Sequence, residues 1–439
     1  MPHKTIIFPS SLILLLLFSI ISFPSHAQNE EMPKIDKRFE REIQTIFQHP
    51  QVKKAMQAII DLEPETRNDH MILTEIPAPP FKEEVRAKKF AEMLGATGVD
   101  SVWIDEVGNV LGRRTGSKGD KTVVIEAHLD TVFPEGTDVS IKQKGDTLYA
   151  PGVGDDTRGL AVVLAIAKAM DKVKLLTEAD ILFVGTVGEE GLGDLRGVKH
   201  LFRENGPKID SYIAIESGGL DRITHRGLGS NRYRVTFKGP GGHSSGAFGL
   251  VNPHNALGRA IHYFIEDADK YTMEGIRTTY NVGVIGGGTS VNSIPFESYM
   301  EVDMRSESPE RVEGIDRLFQ AAVQKALKEE NQMKRIGKDL EVDIEMIGNR
   351  PAGGVSQDIP LIQRSMAATK HLNQEPRFVM GSTNANIPFS KGIPAITIGS
   401  GGKTGGAHSL DEWWLPNEEA VPAIQKALLI LLAEANLIK

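Results

Sequence analysis

The stretch Val123-Val124-Ile125-Glu126-Ala127-His128-Leu129-Asp130 decides how this chain folds. Three consecutive β-branched apolar residues mark a buried strand, and a His and an Asp stand two residues apart where it ends. The pattern recurs along the chain. Ile181-Leu182-Phe183-Val184 leads to Gly188-Glu189-Glu190-Gly191, and Tyr212-Ile213-Ala214-Ile215 leads to Glu216-Ser217-Gly218. Ala395-Ile396-Thr397-Ile398 leads to a glycine loop that delivers His408. Asp155-Asp156 adds two carboxylates directly before a helix expected from about Thr157 to Val173, with Leu160, Val163, Leu164 and Ala167 at helical spacing. Continuous apolar strands suit a sheet covered by helices on both faces, so the fold class is α/β, and such sheets bind ligands at the carboxyl ends of their strands.

Outward from these strands, residues 34 to 94 read as helical, broken by the turn Ile76-Pro77-Ala78-Pro79-Pro80. From about Gly229 to Gly348 the pattern changes. Tyr233, Val235 and Phe237 alternate as a strand; Asn252-Pro253 opens a helix with Leu257, Ile261, Phe264 and Ile265 inward. Strands follow at 278–285 and 299–305, then a helix from Ser308-Pro309, and a last strand through Leu340, Val342, Ile344 and Met346. The order βαββαβ is the ferredoxin-like split unit, expected here as an inserted α+β lid. The organisation expected is a leader at 1–27, an α/β unit in two pieces at 28–227 and 349–439, and the inserted unit at 228–348, with a final helix over about 418–435.

Composition narrows the chemistry. The 439 residues contain no cysteine, which excludes disulfides, thiolate nucleophiles and cysteine metal sites, so any metal must be held by His, Asp or Glu. A formal charge of −8 argues against a broad nucleic-acid or anionic-lipid footprint. Lys4, the apolar run from Leu12 to Phe23, and the small residues Ser25 and Ala27 form the layout of a secretory signal cut after Ala27. Its apolar segment is roughly 12 residues, short of the ~20 that span a bilayer. A secreted or periplasmic protein with no stable membrane anchor after cleavage is expected.

His128, Asp155, Glu190, Glu216 and His408 supply two imidazoles and three carboxylates. A divalent zinc takes about four N/O ligands, and two adjacent zincs can share a carboxylate and a water, so this set suits one imidazole and one terminal carboxylate per metal plus one bridge. Asp130 lies two residues past His128 and suits a carboxylate that fixes the tautomer of the imidazole. Glu189 and Glu190 point to opposite sides of an extended chain, so one is a ligand and the other a general base; spacing alone leaves open which.

These segments, together with Gly154-Asp155-Asp156-Thr157-Arg158-Gly159, resemble the co-catalytic zinc exopeptidase and deacylase family that includes peptidase T, glutamate carboxypeptidase, aminoacylase and acetylornithine deacetylase. The resemblance runs from the segment Leu73 to Pro79 through to the C-terminal helix. It implies a catalytic domain with a mixed central sheet, two divalent metals (zinc first, cobalt or manganese next) and a homodimer formed through the lid. It also implies roles: Asp155 as the bridge, with the Asp155–Asp156 peptide in the cis form, Glu189 as general base and Glu190 as ligand. In the lid, His243 of Gly241-Gly242-His243-Ser244-Ser245 would reach the partner subunit's active site and polarise the scissile carbonyl. Asn292 and Arg305 resemble the contacts to a substrate carboxylate, for which the planar guanidinium fork is apt. Without the resemblance, Arg305 reads equally as a strand-face ion pair with Asp303 or Glu301.

Two departures stand out. Relatives often carry a Lys where this chain has Thr157, and an Asp where Ser382-Thr383-Asn384 ends. If that Asp holds a substrate amino group, its replacement favours an N-acyl or carboxypeptidase-like substrate. The segment Gly242-His243-Ser244-Ser245-Gly246 matches a serine nucleophile elbow, but the helix that an elbow requires starts only near Asn252. Gly402-Lys403-Thr404 lacks the earlier glycine of a phosphate loop, its place being taken by Thr397. The expectation is therefore a dinuclear zinc hydrolase of small peptides or N-acyl amino acids. A non-catalytic peptide-binding protein of the same fold and a serine hydrolase using Ser244 are the alternatives.

Overall fold

The computed structural model describes residues 34–438, so the expected leader lies outside the described residues. The four apolar runs form four adjacent parallel strands, in the order Asp180–Thr186, Thr122–His128, Ser211–Glu216 and Ala395–Gly399. Antiparallel strands flank them: Val110–Arg114 and Ser101–Ile104 on one side, Arg222–Gly227 and then Gly353–Gly354 on the other, with Arg377–Gly381 alongside Arg222–Gly227. The result is a mixed nine-stranded sheet.

Period-2 alternation explains why the central strands are apolar throughout. Val123, Ile125, Ile181, Phe183, Ile213 and Ile215 face one core, with the helices Pro50–Asp61, Thr157–Lys172, Pro360–His371 and Ala420–Glu434. Val124, Leu182, Val184, Tyr212 and Ala214 face a second, with Val198, Leu201, Ile387 and Phe389. Both faces are covered, so no strand position tolerates a polar residue without a partner. The helical text before residue 95 is four helices, Lys37–Gln48, Pro50–Asp61, Glu63–Thr74 and Glu84–Gly95, with the Pro-rich break before the last. Among the described residues no helix is long and apolar enough to cross a membrane.

The strands Gly229–Lys238, Thr278–Gly287, Glu297–Ser306 and Glu341–Arg350 form a separate antiparallel sheet. The helices Pro253–Thr272 and Pro309–Met333 pack on it. The chain order is βαββαβ, and the unit has its own core of Val235, Phe237, Phe264, Met300, Val302, Met304, Phe319 and Val323. Asn252 and Ser308 cap the two helices, accepting from His254 N and Arg311 N, as the sequence predicts. The inner faces differ from expectation at two places. Ile265 is 36% exposed because the buried stripe runs Leu257, Ala260, Phe264, Ala268, and Ile265 sits one step round the helix from it. Met346 is 47% exposed, beside the irregularity at Met346/Gly348 where the strand leaves register with its neighbour.

Candidate metal centre

Each predicted ligand sits at the carboxyl edge of the parallel strands. His128 and Glu216 are the last residues of their strands, Glu189 and Glu190 follow Asp180–Thr186 by one short turn, and His408 is carried by the loop after Ala395–Gly399. Asp155 precedes the helix Thr157–Lys172, whose N-cap is Asp156, and the Asp155–Asp156 peptide is cis.

The side chains converge in two groups that share one residue. His128, Asp155 and Glu216 present ligand atoms within 4.8 Å of one another, and so do Asp155, Glu190 and His408. His128 Nε2 lies 2.9 Å from Asp155 Oδ1, while His408 Nε2 lies 3.5 Å from Asp155 Oδ2 and 3.1 Å from Glu190 Oε1. The two oxygens of Asp155 thus face different imidazoles. His128, Glu189 and Glu190 form a third, overlapping group.

The surroundings orient these groups. His128 Nδ1 faces the backbone carbonyl of Asp130 at 3.0 Å, so Nδ1 carries a proton and Nε2 is the nitrogen turned toward Asp155. The Asp130 carboxylate stands 3.6 Å from the same nitrogen. That carboxylate also accepts from the backbone N–H of Glu189 at 2.9 Å and of Glu190 at 2.8 Å, fixing the turn that bears both acids. Its geometry is dictated by two amides that have no strand partner once the strand has ended.

Sequence reasoning missed two residues. Glu412 is buried and accepts from the N–H groups of Gly152 (2.9 Å), Gly154 (2.7 Å) and Asp155 (3.0 Å), holding the loop that presents Asp155. Arg350, the last residue of its lid strand, donates from Nη1 to Glu189 Oε1 at 3.0 Å and from Nη2 to the Glu189 carbonyl. Neither residue lies in a strand-end motif, and only the folded chain brings them to the site.

The electrostatics of the cluster are those of close, buried acids and imidazoles. Burial, and then the neighbouring Asp155, pushes Glu216 up to about 8, and burial holds Glu189 and Asp156 well above the usual carboxylate range. Hydrogen bonds to Asp155 and Glu190 push His408 up to about 10. Burial alone would lower His128, yet Asp130 and Asp155 hold it well above an ordinary imidazole. Carboxylates this close and this buried are held ionised by compensating positive charge, and interleaved imidazoles and carboxylate oxygens are a donor set suited to divalent metals. The residues present fit such ions.

The lid residues are placed differently. His243 pairs with Ser293 in a two-stranded ribbon and is exposed, and its Nδ1 accepts from Ser245 N (3.3 Å) and Gly246 N (3.2 Å). Nδ1 is an acceptor here, so Nε2 bears the proton and is a donor toward solvent. Asn292 is also exposed and adjoins it, its carbonyl accepting from Ser244 N at 2.9 Å. Ser244 stands in a turn rather than between a buried strand and a helix, which removes the nucleophile-elbow reading. Arg305 donates to Asp303 at 2.6 Å, and Asp303 also accepts from Arg232 at 3.1 Å. Arg232 reaches the carbonyl of Gly191 at 3.2 Å, one residue past Glu190.

A mixed sheet with a lid unit and a His/carboxylate cluster at its strand ends defines a metal-dependent hydrolase of the exopeptidase type. Residues 124–434 match the Peptidase family M20/M25/M40, and the chain belongs to that family, whose members hydrolyse peptide or amide C–N bonds. It is 26% identical to carboxypeptidase G2 of Pseudomonas sp. over 307 residues, covering 66% of this chain and 68% of that protein. Against an acetylornithine deacetylase of Vibrio cholerae it is 28% identical over 350 residues, 75% of this chain and 86% of the relative. The fold is similar to that of the aminopeptidase PepT of Bacillus cereus, with a TM-score of 0.66 at 21% identity over 84% of this chain and 98% of that one.

Proposed function

We propose that this protein is a dinuclear, zinc-dependent hydrolase that cleaves a peptide or N-acyl amide bond of a small peptide or N-acyl amino acid. The observation that carries the reading is the sharing of Asp155 between two separate His/carboxylate groups, one with His128 and Glu216 and one with Glu190 and His408. Divalent ions held there would polarise the scissile carbonyl and make water a nucleophile at neutral pH.

The chain's own groups then divide the remaining work. Glu189, buried and held by Arg350, takes a proton from the attacking water and returns it to the leaving amine. Asp130 and Glu412 hold the two turns that carry Glu189, Glu190 and Asp155. His243 Nε2–H is a donor suited to the developing oxyanion, supplied by the partner subunit of a homodimer built through the lid. Asn292 and the Arg305 guanidinium bind the substrate carboxylate. The leader at 1–27 sends the chain to the periplasm or the outside.

The test is a screen of di- and tripeptides against N-acyl amino acids with zinc, cobalt and manganese, using the wild type and Glu189→Gln. Metal-dependent release of amino acid, lost in Glu189→Gln, is expected. Full turnover after stringent chelation, or a fully active Glu189→Gln protein, refutes the mechanism. Peptide binding without turnover by the metal-loaded wild type would instead favour a binding protein.

A further inference from the structure

We infer that Arg350 is a positioning residue for Glu189, and that through it the lid sets the geometry of the base; this rests on the reading of Glu189 given above. Arg350 ends the strand Glu341–Arg350, opposite Ser230, and Pro351 follows it as the chain returns to the catalytic part. Its side chain is 6% exposed. Nη1 donates to Glu189 Oε1 (3.0 Å) and Ser382 Oγ (3.3 Å), and Nη2 donates to the Glu189 backbone carbonyl.

One planar fork therefore grips both the carboxylate and the peptide of the same residue. A rigid guanidinium in that position fixes the glutamate side chain relative to its own backbone, which a flexible ammonium cannot do. The neighbouring Glu190 carboxylate repels Glu189, so the same cation that orients the base keeps it from swinging away. The grip belongs to a wider seam. Asn349 N donates to Asp194 Oδ1 at 2.8 Å, and Arg232 donates to the Gly191 carbonyl at 3.2 Å. The roots of two paired lid strands, Gly229–Lys238 and Glu341–Arg350, thus hold the 189–194 turn at three points. A movement of those roots is transmitted to the base through Arg350 first, because that contact alone reaches the Glu189 carboxylate.

The experiment compares Arg350→Ala, Arg350→Lys and Glu189→Gln in the metal-loaded full chain. Displacing a catalytic group by about 1 Å costs on the order of 100-fold in rate, and that is the fall in kcat expected for Arg350→Ala, with KM within about 3-fold. Added guanidinium ion should restore about a tenth or more of the lost rate in Arg350→Ala and none in Arg350→Lys, a rescue that mere structural support would not produce. If Arg350→Ala does not fold, Arg350→Lys decides alone, by a kcat loss of about 10-fold or more at unchanged KM. A kcat within about 3-fold of wild type in the folded variant overturns the inference, and so does a loss confined to KM, which would make Arg350 a substrate contact. An active Glu189→Gln protein would fail the underlying reading instead, whatever the Arg350 variants do.

Discussion

Lys426 offers a quantitative test of the fold beneath the site. It lies fully buried in the helix Ala420–Glu434, and its Nζ donates to the carbonyls of Leu220 (2.7 Å) and Arg222 (3.1 Å). Leu220 lies in the turn after Glu216, and Arg222 opens the next strand. No carboxylate among the described residues pairs with Lys426, since Asp221 turns to Arg377 at 2.6 Å. Burial therefore pushes the ammonium down to about 7 from an ordinary 10.5. Below pH 7 the folded and unfolded chains both hold the proton, and the folded state bears the full cost of the buried charge. Between 7 and 10.5 the unfolded chain holds a proton that the folded chain has released, so stability rises with pH by about 1.4 kcal/mol per unit. Across pH 7 to 10 that is about 4 kcal/mol from this one group. Lys426→Met removes the slope and leaves two carbonyls without a donor, at a cost of about 1–3 kcal/mol. The variant should thus be the more stable protein at pH 7 and the less stable one at pH 10. Urea midpoints of both proteins at unit pH steps, at one metal concentration, cancel the other titrating groups in the difference. A stability difference that stays flat from pH 7 to 10 refutes the reasoning.

Three further outcomes follow from the site. Glu412→Gln retains shape but replaces one of the two oxygens that accept from three N–H groups by a donor, and metal affinity should fall about 10- to 100-fold by competition with a chromophoric chelator. Mixing inactive His243→Ala with inactive Glu189→Gln subunits should restore up to about a quarter of wild-type turnover if His243 serves the partner's site in a C2 dimer; mixtures as dead as their parents contradict the shared site. Arg305→Met should raise KM about 10-fold or more for substrates with a free carboxylate and leave the corresponding carboxamides unchanged, since a charge-assisted pair is worth roughly 1.5–3 kcal/mol; equal effects on both would remove Arg305 from carboxylate recognition.

The legible parts of the sequence were those whose signal is local. Val123–Ile125 and its three companions read as buried strands because both sheet faces are covered, and Tyr299–Arg305 read as a lid strand because one face is not. The five candidate ligands were legible as acids and imidazoles left at strand ends or before a helix, and the structure gathers them in two groups of three that share Asp155. Glu412 was not legible. In Asp411-Glu412-Trp413-Trp414 it looks like one of two solvated acids, and its burial comes from the small sheet in which Trp413–Leu415 pairs with Thr147–Tyr149. Arg350 was hidden for a similar reason: its partner is 161 residues away. Asp130 was legible as a neighbour of His128, but its bonds to the Glu189 and Glu190 amides were not. Two residues of separation give a side without saying whether the carbonyl or the carboxylate reaches the imidazole first.

Asn384 shows how the interior can decide a question that looks like one of specificity. It is 1% exposed, and its Nδ2 donates to Thr186 Oγ1 at 2.8 Å and to Glu126 Oε2 at 3.3 Å, while Thr186 Oγ1 donates to the same Glu126 oxygen at 2.9 Å. Burial already pushes Glu126 up to about 7 against the pull of these donors. An aspartate at 384 would set a second carboxyl against the first, and two acids sharing one buried site cannot both ionise. The amide nitrogen is the group that these two acceptors favour, and in this structure Asn384 is buried away from solvent. Its replacement of an acid therefore does not bear on the direction of cleavage. That question passes to the lid, where Arg232 and Arg305 share the single carboxylate of Asp303. Two guanidiniums against one carboxylate leave a net positive charge, and Arg232 anchors it to the loop beside Glu190. On the reading proposed above, a substrate carboxylate would be drawn to that charge and a substrate amino group repelled, so carboxamide analogues should bind more weakly than the free acids, and equal KM values would refute it.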